Sequence, residues 1–192
     1  ALPFSETDFT LTLGLLLLAP LAIAGVALIN TGLGRSRSAA QSLLGSLAII
    51  SVAVIAFALV GATFADGPLG GHIFHLAGKP WNWAGTGPLF LSGLSQAPPR
   101  AQLGILFEFF AVALAALIPW GSGADRWRLS AGIASAAVLA AIFFPLLAHF
   151  VWGGGWLSQL GVNFSLGAGF LDAGGAATVH LLGGLSALAA VW

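Results

Sequence analysis

Five stretches of the chain are apolar almost without interruption: residues 9–29, 39–64, 101–120, 129–151 and about 173–192. Each is roughly the 20 residues that a helix needs to cross the hydrocarbon core of a bilayer. The pattern predicts an all-α polytopic membrane protein, with five transmembrane helices in a single domain over 1–192. Between the runs lie 30–38, 65–100, 121–128 and 152–172, rich in the Gly, Pro, Ser and Asn of connecting segments. Pro20 and Pro145 fall inside apolar runs and are expected to kink their helices, with neighbours satisfying the freed backbone groups.

Small residues stand where helices would meet. Gly132 and Ala136 in the fourth run, and Gly175, Gly183, Gly184 and Ala187 in the fifth, permit close backbone approach, and for most of these glycines packing is the better reading. The longest connection carries Trp81 and Trp83 among several prolines and is expected to rest on the membrane surface, its indoles in the headgroup layer. His72 and His75, three apart in that connection, read as surface histidines, because no nearby Cys or carboxylate completes a metal site.

Composition agrees with the run lengths: 58% of residues are hydrophobic and only 6% charged. Net charge is zero, and the six basic residues are scattered, which excludes a nucleic-acid surface and a polybasic lipid anchor. The absence of Cys removes disulfides, thiolate metal sites and cysteine nucleophiles. The chain opens at Ala1 and holds no Met, so a processed or trimmed product is expected. Its first apolar run lacks a basic leader and is too long for a signal-peptide core, and so reads as a retained helix.

Arg35 and Arg37 lie in the first connection and Arg126 and Arg128 in the third, whereas the second holds Lys79 and Arg100 and the fourth no basic residue. The positive-inside bias makes the first and third connections cytoplasmic, which puts Ala1 outside and Trp192 inside.

Ionisable groups at membrane depth are costly and functional by default. Asp172 and His180 flank the start of the fifth run, with Gly174 and Gly175 between them allowing a helix or a small solute to come close. A carboxylate at that position can also cap free N–H groups, and His180 can be a packing residue. Trp152 precedes three glycines, and its indole is either an interfacial belt ring or a face for a small cation at an outer vestibule. Phe107, Phe109 and Phe110 cluster around Glu108 near the start of the third run, as a gate or as lipid-facing rings. Glu108 itself requires a partner, a proton or a wet position near the outer interface. No nucleophile–base pair or metal cluster is visible, so neither an enzyme nor a cofactor protein is expected.

Several motifs together resemble the ammonium transporter (Amt)/Rh family over essentially the whole chain. They are Ala148-His149-Phe150-Val151-Trp152-Gly153-Gly154-Gly155-Trp156-Leu157 and Asp172-Ala173-Gly174-Gly175 leading to Thr178-Val179-His180. Asp8-Phe9 before the first run, Gly34-Arg35-Ser36-Arg37-Ser38 after it, and Ala124-Asp125-Arg126-Trp127-Arg128-Leu129-Ser130-Ala131 add to the likeness, with Asp125 where the family has Glu. The resemblance implies a trimeric helical channel-like protein of the bacterial inner membrane that takes up ammonium. It further implies that Trp152 recruits the cation, that Phe110 contributes to a gate, that Asp172 holds the recruitment region and that His180 lines a hydrophobic pore; Phe107 is a further candidate on the path. The Phe107–Phe110 segment is one residue out of step with the family and carries Glu108 where Gln is usual. The family also has a second, inverted set of helices beyond the point where this sequence ends. Two readings follow: half of an ammonium transporter, completed by its own second repeat or by an antiparallel copy, or a non-transporting membrane subunit or ammonium sensor.

Overall fold

The computed structural model describes residues 4–34, 38–65, 74–123 and 126–192. Arg35, Arg37, His72 and Asp125 lie outside the described residues, as does half of the charge asymmetry on which the orientation rests.

Among the described residues, four helical stretches are long and apolar enough to cross a membrane: Glu6–Leu33, Ala39–Ala65, Pro99–Gly123 and Leu129–Val151. The first begins at a reciprocal cap, in which the Ser5 hydroxyl accepts from the Asp8 N–H at 3.1 Å and the Asp8 carboxylate accepts from the Ser5 N–H at 3.0 Å. It is two helices, α1 (Glu6–Leu16) and α2 (Ala19–Leu33), and Pro20 sits in the first turn of α2 rather than in a bent interior. That is where a residue without an N–H is cheapest. Pro145 opens α7 (Phe144–Val151) but lies inside the continuous helix Leu129–Val151, just after its π-helical segment Leu139–Phe143.

The second and fourth spans each contain a π-helical turn. Phe57–Gly61 joins α3 (Ala39–Ala56) to α4 (Ala62–Ala65), and Leu139–Phe143 joins α6 (Leu129–Val138) to α7. The two turns pack on each other. A Cβ on Gly61 would collide with the Ala140 carbonyl oxygen and would stand 2.7 Å from the Phe57 ring. Phe57, fully buried, meets Phe109 and Phe144 edge-on at 5.9 and 5.8 Å.

Helix α5 (Pro99–Gly123) is the hub, packed against α2, α3 and the final helix. Ile105, Val112, Ala115, Leu117 and Trp120 on it are each at most 1% exposed. The Trp120 indole fills the space that Gly45 on α3 and Gly132 on α6 leave, and its N–H reaches the Ser42 carbonyl at 3.3 Å. Pro119 inside α5 cannot donate to the Ala115 carbonyl, and Gly183 lies against that carbonyl. Outward-facing Leu11, Leu15, Leu21 and Leu44 are each more than 60% exposed, as suits helices whose solvent is lipid.

The fifth predicted span is shorter than expected. It comprises a six-residue π turn, Ala176–Leu181, and ten α-helical residues, α9 (Leu182–Val191). Residues 173–175 stay outside the helix because Gly175 adopts φ +73°, a left-handed conformation that breaks the helical path.

The long connections have structure of their own. β1 (Phe74–Leu76) and β2 (Lys79–Trp81) form an antiparallel hairpin, with Ala77 and Gly78 both at positive φ in the two-residue turn. Trp81 stacks on Trp83, and Trp83 on Trp156, each pair 5.9 Å apart. These indoles are therefore a packed ladder that pins the hairpin to the segment after Trp152. The Lys79 ammonium and the Asn163 side chain tie β2 to α8 (Leu160–Phe164): Lys79 donates to the Asn163 carbonyl, and Asn163 donates to the Pro80 carbonyl at 2.9 Å.

Candidate functional site

At the end of the bundle where α5 begins and α7 ends, a cleft of about 620 Å³ opens between the two helices and the approach to the π turn at Ala176. Pro98, Arg100, Gly104, Phe107, Glu108, Trp152 and Asp172 line it. Of the five residues singled out from sequence as the candidate path, Phe107, Trp152 and Asp172 come together here.

Trp152 is held on several sides. Its ring meets Phe107 edge-on at 5.2 Å and Phe144 at 6.4 Å, and the far edge of its benzene ring lies 3.7 Å from where a Cβ on Gly175 would stand. The indole N–H donates to the Asp172 carbonyl at 2.7 Å. A ring fixed in this way offers its π-face at low entropic cost to whatever enters the cleft.

Asp172 contributes twice, by its backbone to Trp152 and by its carboxylate to the last helix. One carboxylate oxygen accepts from the Ala176 N–H at 2.8 Å. The other accepts from the N–H groups of Ala177 and Thr178, at 3.1 and 2.9 Å, and from the Thr178 hydroxyl at 2.9 Å. The three N–H donors are the orphan groups of a helix start, and the Thr178 hydroxyl adds a fourth. Partial burial raises the Asp172 pKa, but the bonds from Thr178, Ala176 and Ala177 outweigh it and leave the carboxyl below its ordinary 3.8. A lowered pKa stabilises the fold above the unfolded value. The contribution is therefore complete above pH 3.8 and is lost as pH falls through the lowered value. Replacing Asp172 by Ala should cost about 1 kcal/mol, the usual worth of such a cap. Thermal unfolding in detergent at pH 7 checks this, and a midpoint equal to that of the parent protein would show that the cap carries nothing.

His180 and Phe110 sit elsewhere. His180 lies on the exposed side of the π turn, its Nδ1 3.5 Å from the Gly175 carbonyl. Phe110 faces a separate apolar groove with Phe109, Pro20, Ile23 and Leu47, so the ring that meets Trp152 is Phe107. Three residues along α5 leave the two rings about 60° apart around the axis and about 4.5 Å apart along it, so they face different spaces. His149 is fully buried, with Nδ1 3.2 Å from the Ala65 carbonyl, and ties α7 to α4. Gly104 and Phe144 carry no signal in the sequence as site residues, and only their packing identifies them. Glu108, singled out from sequence without a role, lines the cleft at 5% exposure.

Residues 10–192 match the model of the Ammonium Transporter Family. The chain is 36% identical over 171 residues to the ammonium transporter Amt2 of Archaeoglobus fulgidus, covering 88% of this chain and 34% of that protein. It is 32% identical over 174 residues to the ammonium transporter of Bacillus subtilis, covering 90% and 40% respectively. With the ammonium transporter of Aquifex aeolicus it shares 32% over 171 residues, covering 88% and 37%. The chain thus spans between a third and two-fifths of the length of these relatives.

Proposed function

The chain belongs to the ammonium transporter family, and from that premise we propose that it recruits ammonium at the Trp152 cleft and contributes His180 to the path by which the substrate crosses the membrane. It is an integral membrane protein, with four long apolar helices and one shorter one among the described residues. The observation that carries the reading is the immobilised indole. Trp152 is fixed by the Asp172 carbonyl and by Phe107 at the mouth of an open cleft, with a ring face available to a small cation. Cation–π attraction needs only a charge near that face and tolerates the small size of ammonium.

Phe107 is the proposed gate ring, since it packs on Trp152 and lines the same cleft. The imidazole of His180, able both to donate and to accept a hydrogen bond, is suited to pass a small polar solute. Arg126 and Arg128 support a cytoplasmic third connection, which turns the Trp152 cleft outward and puts the Phe4 end outside and the Trp192 end inside. The proposed setting is the bacterial inner membrane, in a homo-oligomer like the family trimer, with transport rather than catalysis as the activity.

Ammonium-evoked current in liposomes reconstituted with the native protein tests the reading. Trp152→Leu is expected to raise the half-saturating ammonium concentration about 2- to 30-fold, the equivalent of 0.5–2 kcal/mol of cation–π attraction, with a smaller change in the saturating current. A concentration dependence identical to that of the parent protein would remove Trp152 from recruitment.

A further inference from the structure

We propose that Glu108 is the anionic ligand of the cleft, holding a small monovalent cation between its carboxylate and the Trp152 ring; the identity of that cation as ammonium rests on the functional reading above. Glu108 is on α5, next in sequence to the Phe107 ring that packs on Trp152, and it lines the same cleft. It is only 5% exposed, and its Oε2 accepts no hydrogen bond from any described residue. A buried carboxylate oxygen left without a donor is costly, and such groups mark functional positions.

Among the described residues, two acidic side chains and one basic one line this cleft: Glu108, Asp172 and Arg100. The Asp172 oxygens are committed to four donors at the start of the last helix. The carboxylate left over is that of Glu108, whose Oε2 is closed off without a donor while the residue itself borders the cleft. Gly104 precedes Glu108 by one helical turn on the same face and also lines the cleft, so no side chain at that position covers the carboxylate. A cation seated there gains a charge-assisted contact on one side and the π-face on the other. A carboxylate does not require an N–H donor, so the site accepts potassium as well as ammonium, whereas tetramethylammonium offers no close approach to the oxygen.

The test is calorimetric titration of the purified native protein with ammonium, potassium and tetramethylammonium chlorides, repeated on Glu108→Gln, Glu108→Asp and Trp152→Leu. Glu108→Gln keeps the shape and removes the charge, and is expected to weaken both ammonium and potassium binding at least tenfold. Glu108→Asp, which withdraws the carboxylate by one methylene, should fall between it and the parent protein. Isotherms for Glu108→Gln that superimpose on those of the parent overturn the proposal, and a loss in Trp152→Leu alone would then leave recruitment by the indole standing. Glu108-dependent binding of potassium without binding of ammonium would instead uphold the anionic site and overturn the ammonium reading. Absence of binding by the parent protein would overturn both.

Discussion

Trp120→Ala is expected to lower stability by about 2–3 kcal/mol, among the larger losses open to a single substitution in this chain. The indole is 1% exposed and joins three helices, because it lies on α5 in the space left by Gly45 on α3 and Gly132 on α6. Truncation leaves a void that these glycines cannot fill, and it removes the N–H that reaches the Ser42 carbonyl. In a water-soluble core the same change costs about 3–5 kcal/mol. Part of that figure is transfer from water, which a helix separating within lipid does not experience, and the lower range follows. The check is the thermal midpoint in detergent beside that of Leu33→Ala, whose side chain is 84% exposed and supports no neighbour. Equal shifts in the two variants would mean that α3, α5 and α6 are not locked through Trp120.

The second large effect is expected at Gly61. Its missing Cβ leaves room for the Ala140 carbonyl oxygen and for the Phe57 ring, which an added Cβ would approach to 2.7 Å. The ring is fully buried between Phe109 and Phe144 and has nowhere to turn. A carbonyl oxygen cannot rotate away without breaking its own helix. The two π turns must therefore separate, and Gly61→Ala should cost about 1–3 kcal/mol, the range for overpacking a well-filled core. Gly25→Ala is the comparison, because nothing lies within 4 Å of a Cβ there and alanine is the better helix former. If Gly61→Ala melts no earlier than Gly25→Ala, the contact between the π turns is looser than this geometry requires.

Hydropathy made the spans legible because its cause is simple: a bilayer demands about 20 apolar residues per crossing, and the runs at 39–64 and 129–151 match the helices Ala39–Ala65 and Leu129–Val151 closely. Pro20 and Pro145 marked where helical winding changes, since proline has fixed backbone demands, but the sequence pointed to kinks and not to the helix start and the change of helix type found there. Backbone register could not be read. A π turn at Phe57–Gly61 differs from an α turn by one residue of winding, and its composition is as apolar as its surroundings. Orientation about a helix axis was equally hidden in the aromatic cluster, where every candidate position is a phenylalanine. Phe107 and Phe110 differ in which cavity they face, and that depends on the packing of α5 against α2 and α7. Trp81 and Trp83 carried the composition of membrane-surface residues, yet they stack in a ladder ending on Trp156, a partner about 75 residues distant that local pattern does not reveal. At the cleft, the residue types were visible in sequence as Trp, Asp and Glu in apolar surroundings. What was hidden is which of their polar atoms are already committed.

That commitment has a mechanical meaning. The Trp152 indole hangs from the Asp172 carbonyl, while the carboxylate of the same residue grips the first turn of the helix that carries His180. One residue thus acts as the common joint of two levers, a plate at the cleft and a shaft running away from it. Only the short Asp172 side chain separates the two attachments, so the ring and the start of the helix are held to one another.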